Sequence, residues 1–110
     1  MIAEEEVENA CEFLRTNARH LAKAKAERCY LEEFRKSKKA ILIQAAKEGT
    51  AQSKEAFAYS HPEYLTVLQG LKKAVETEER LRWLMVEAQT RIEIWRSQES
   101  TNRAIDKSHR

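Results

Sequence analysis

A chain of 110 residues with 20 Lys and Arg against 18 Asp and Glu carries a net charge of +2, too weak a field to argue by itself for a nucleic acid or membrane partner. Two glycines and one proline leave few places to break a helix, which makes sheet structure improbable and points to long helices. A chain this short buries only a modest core unless its helices lengthen and a second copy covers them, so size points to a homo-oligomer.

The first element is a helix from about residue 4 to about residue 47. Glu4, Glu5, Glu6 and Glu8 suit its positively polarised start. Val7, Ala10, Leu14, Asn17, Leu21, Ala24, Arg28 and Leu31 alternate in steps of three and four, the spacing of one continuous helix face. The stripe is then expected to continue through Phe34, Lys38, Ile41 and Ala45, one residue short of the repeat, with Tyr30 and Phe34 at its margin. Gly49 is the C-terminal cap glycine of this half.

Residues 48–61 form the connection, with a short helix over Ser53 to Tyr59. Pro62 after Ser60 and His61 marks a fresh helix start. The second long helix carries Tyr64, Val67, Leu71, Ala74, Glu78, Leu81, Met85, Ala88, Ile92 and Trp95 in unbroken alternation, reaches about residue 100 and frays beyond. Gly70 inside it costs up to about 1 kcal/mol against alanine. The fold class is therefore all-α: an antiparallel hairpin of two long helices with a short connecting helix, coiled-coil-like, a single helical domain that dimerises into a bundle.

Folding back at 48–61 brings Arg28 near Glu78. Both are charges interrupting an apolar stripe, and such a pair fixes register in coiled coils. Chemistry is harder to find. His20, His61 and His109 lack helical metal-ligand spacing, no Cys-x-x-Cys occurs, and Gly49 and Gly70 are isolated, so no metal, cofactor, small-molecule substrate or catalytic residue is indicated. Cys11 and Cys29 are separated by about 27 Å of helical rise and read as reduced. No apolar stretch approaches the roughly 20 residues of a membrane span, and the acidic start lacks the features of a secretory signal, so a cytoplasmic location is expected.

Two binding surfaces remain. Arg35, Lys36, Lys38 and Lys39 beside Tyr30 and Phe34 are the DNA-contacting candidates, since basic side chains track phosphates while a ring stacks on a base. Glu32 and Glu33 inside the same run oppose phosphate, and the alternative is that the rings are core and the lysines the wet face. Trp83, Leu84, Ile94 and Trp95 are the candidate protein-partner interface, because a tryptophan off the main seam more often marks a second interface than an idle ring. A structural coiled-coil spacer is the third reading.

The stretches Lys25 to Ala40, Ser60 to Leu65 and Arg80 to Glu99, the last reading Arg-Leu-Arg-Trp-Leu-Met-Val-Glu-Ala-Gln-Thr-Arg-Ile-Glu-Ile-Trp-Arg-Ser-Gln-Glu, resemble a group of small phage and prophage proteins without an established activity. The resemblance covers most of the chain from about residue 11 on and brings no catalytic residues. It implies a role beside DNA recombination and replication, or against a host defence nuclease, in the host cytoplasm.

Overall fold

The computed structural model describes residues 1–109. The chain is all-helical: α1 spans Glu4–Ala45, α2 Ala51–Ser60 and α3 Pro62–Ser108, with no strand among the described residues. The single helical domain expected from the sequence is organised as two compact units. One comprises Ala22–Glu78; the other comprises Met1–Leu21 together with the chain from Glu79 on.

In the Ala22–Glu78 unit, α1 and α3 run antiparallel and α2 joins them. Gly49 sits at φ 117°, a conformation that a side chain disfavours. A Cβ there would also clash with the Ser53 hydroxyl. Thr50 then caps α2: its hydroxyl accepts from the Ser53 amide at 3.1 Å, satisfying one of the donors that a helix start leaves open. His61 is extended, as a residue before proline is pushed to be. Its Nδ1 accepts from the Glu63 amide at 3.0 Å, so His61 rather than Ser60 caps α3.

Leu42, Ala58 and Tyr64 are buried together, with Ile43 and Leu68 packed against them. The Tyr59 ring meets Tyr64 edge-on at 5.4 Å. In the other unit Val7, Ala10 and Ala88 are the buried apolar residues, and the Ile2 amide donates to the Gln98 side chain at 3.1 Å. Asn17, an interruption of the stripe, satisfies itself by donating to the Phe13 carbonyl at 3.0 Å.

Two expectations are corrected here. Of the positions expected to continue the stripe on α1 after Leu31, Phe34 and Lys38 are half-buried but Ile41 and Ala45 are exposed, and the covered face runs on through Arg35 and Leu42. The unbroken alternation on α3 demands an unbroken partner, and the methylene stems of Arg35 and Lys38 supply apolar cover there while their charged ends reach outward. The second correction concerns the end of α3, which stays helical to Ser108 instead of fraying after residue 100. Residues 101–108 contain neither glycine nor proline, so nothing local stops the helix.

Candidate interaction surface

Arg28 and Glu78 meet across the α1–α3 seam. The guanidinium engages the carboxylate through Nε to Oε2 and through Nη2 to Oε1, the latter at 3.2 Å. Its Nη1 donates to Glu32 at 3.0 Å. Glu78 is 4% exposed, the one buried charged residue among those described. The carboxylate of Glu78, then that of Glu32, raises the Arg28 pKa above its ordinary value.

The basic run is largely committed to carboxylates. Lys38 pairs with Glu63 at 2.7 Å, and that contact holds the Glu63 carboxyl below its usual range. Lys39 donates to Glu55 at 2.9 Å and to the Tyr59 hydroxyl at 2.6 Å, and its ammonium lies 4.4 Å from the centre of the Tyr59 ring. Glu55 first, then Tyr59, raises its pKa. Lys36 reaches Glu33 at 3.4 Å, and Arg35 is half-buried on the seam. Tyr30 and Phe34 stack at 5.8 Å with nearly parallel planes, and Tyr30 is 62% exposed instead of joining the core.

The second surface lies on α3. Trp83 is 64% exposed, Ile94 43% and Ile105 48%. They recur every eleven residues, about three full turns, so they fall within roughly 40° of one another. Thr90, Ser97 and Thr101 lie between them on the same face, beside a hollow of about 690 Å³ that Met1 and Gln98 also line. Arg96, Glu99 and Arg103 fall on the opposite side by spacing. At its near end the stripe is edged by Glu87, which pairs with Arg91 at 3.0 Å.

The four residues expected to form the interface therefore separate. Trp83 and Ile94 share a face; Leu84 and Trp95 are each about 100° further round, and Trp95 is half-buried on the seam. Ile105 lies in the tail that composition leaves to fray, and its eleven-residue spacing from Ile94 is the signal in the sequence that marks it.

Among the described residues there is no group of three or more His, Cys, Asp and Glu placed to hold a metal ion, and no helix long and apolar enough to cross a membrane. Cys11 and Cys29 are free thiols, both exposed. No family model, no curated protein and no solved structure matches the chain.

Proposed function

We propose that the chain is a non-enzymatic, self-associating helical protein that binds another protein through the outer face of α3. In the setting implied by its resemblance to phage and prophage proteins, it serves as an accessory to recombination or replication, or inhibits a host defence nuclease. The observation that carries this reading is the Trp83, Ile94 and Ile105 stripe: large apolar side chains at eleven-residue intervals, left open on one face of a helix in a chain that is 35% charged. Large apolar side chains aligned along one open helix face are the anchors by which a helix docks into a partner's groove, and tryptophan is enriched at the energetic centre of interfaces. The engagement of Lys36, Lys38 and Lys39 with acidic or phenolic partners favours a protein partner over direct DNA attachment.

The test is a pull-down from infected host cells with the wild-type chain and with Trp83→Ala, Ile94→Ala. The double variant loses a partner that the wild type retains, with folding stability changed by less than about 0.5 kcal/mol per site because both side chains are surface substitutions. Equal capture by both proteins sinks the reading. Binding of a labelled duplex that collapses with salt, and that requires Lys36 and Lys39, replaces it with the DNA reading.

A further inference from the structure

We propose that two copies of the chain associate through a groove in the Ala22–Glu78 unit, α1 of each lying over α3 of the other. This rests on the self-association put forward above and says which surface performs it.

Gly70 is the starting point. It lies in the middle of α3, where glycine costs about 1 kcal/mol against alanine. Its φ is not positive, and a Cβ added there would meet only Leu31 Cδ1 at 4.0 Å, an ordinary contact. Nothing inside the chain requires glycine at this position. The remaining physical use of a helical glycine is close approach from outside.

The groove around it has a volume of about 410 Å³, with Ala24, Leu31, Gly70 and Ala74 along its floor, Glu27 on the α1 rim and Lys73 on the α3 rim. The helix α2 packs on the flank that carries Lys39 and Leu68. Ile41, two residues from Lys39 and so on the other side of α1, is 55% exposed. That open flank continues through Phe34 and Tyr30, which share a face with Glu27 and Leu31 by their spacing of three and four.

The occupant follows from register and charge. Arg28 against Glu78 and Lys38 against Glu63 place Phe34 level with the Gly70 region of α3. A two-fold axis parallel to the helices sets α1 over the partner's α3 at the same level. The Tyr30 and Phe34 ring pair of one copy then enters the hollow over Gly70 of the other, with the Tyr30 hydroxyl at the wet edge. The same rotation sets Glu27 against the other copy's Lys73, and Lys73 against its Glu27. An axis across the helices at the level of Glu27 and Lys73 would oppose like charges instead, which costs affinity. Neither Glu27 nor Lys73 makes an ion pair within the chain among the described residues.

No large side chain is fully buried among the described residues, and Tyr30 and Ile41 on the open flank are 62% and 55% exposed, so a second layer has apolar surface to cover.

Sedimentation equilibrium on the full chain reads the outcome, with circular dichroism confirming that each variant stays helical. The wild type is expected to be a dimer and Gly70→Leu a monomer at the same concentration. Glu27→Lys raises the dimer dissociation constant by at least about tenfold, and adding Lys73→Glu restores it to within about threefold of wild type. A monomeric wild type overturns self-association itself. A dimer unmoved by Gly70→Leu and by the charge reversals overturns this site alone, as does one that dissolves only with Trp83→Ala, Ile94→Ala.

Discussion

The two units are built from the same two helices and yet are stabilised differently. Between Ala22 and Glu78 a third helix lies against the pair, and its Ala58, fully buried, closes over Leu42 and Tyr64. In the unit formed by the chain ends, α1 and α3 have only each other, and the buried apolar residues are Val7, Ala10 and Ala88. Two helices in contact share one narrow strip; large side chains beside the strip stay partly wet. A third helix converts strip into core. The difference teaches that in this chain alanine sets how closely the helices approach, while the burial of Leu42 and Tyr64 depends on α2.

That contrast can be broken most directly at Leu42, which is 4% exposed. Leu42→Ala should cost about 2–5 kcal/mol, the range for truncating a buried leucine, read as a fall in the urea midpoint. Leu14→Ala, at a half-covered position of the other unit, should cost distinctly less. Equal losses would show that α2 adds nothing to burial.

The next largest effect is expected at the seam. Arg28→Met removes both hydrogen bonds that the guanidinium makes to the buried Glu78 carboxylate, and it should lower the melting temperature more than Arg28→Met combined with Glu78→Leu. Removing one member of a buried pair takes two charge-assisted hydrogen bonds from a carboxylate that stays buried, whereas replacing both with apolar groups can be neutral or better. A single variant as stable as the double would mean that the pair is not coupled.

The smallest effect separates charge from packing. Lys38 holds the Glu63 carboxyl below its usual range, so its stabilisation is complete above the ordinary carboxylate pKa and is lost as pH falls through the lowered one. The Glu63 side-chain resonance should therefore titrate below the ordinary carboxylate range and return to it in Lys38→Met. An identical midpoint in both proteins would sink the assignment.

Much of the helical order is legible in the residues because the alternation on α3 is unbroken from Tyr64 to Trp95 and a turn near residue 50 brings 28 level with 78 by counting. The covered face of α1 past Leu31 was harder to read. Arg35 occupies a seam position with the stem of a charged side chain, while the apolar Ile41 stands on the exposed side. The outer stripe on α3 was obscured for a related reason. Its large residues stand eleven apart with serine and threonine between them, so each looks solitary in a window of seven. His61 as a helix cap was equally hidden, since its ring nitrogen acts in place of the usual hydroxyl or carboxylate.

The contacts of the two units also differ in what they ask of an unfolded chain. Leu42 and Tyr64 are about 20 positions apart, whereas Ile2 and Gln98 are 96 apart. Since the entropy of loop closure rises with the logarithm of loop length, bringing the distant pair together first would cost about 1.3 kcal/mol more. Closure around Gly49 and Thr50 is therefore the less costly of the two in loop entropy, and a chain in which it has formed has a shorter loop left to close between Ile2 and Gln98.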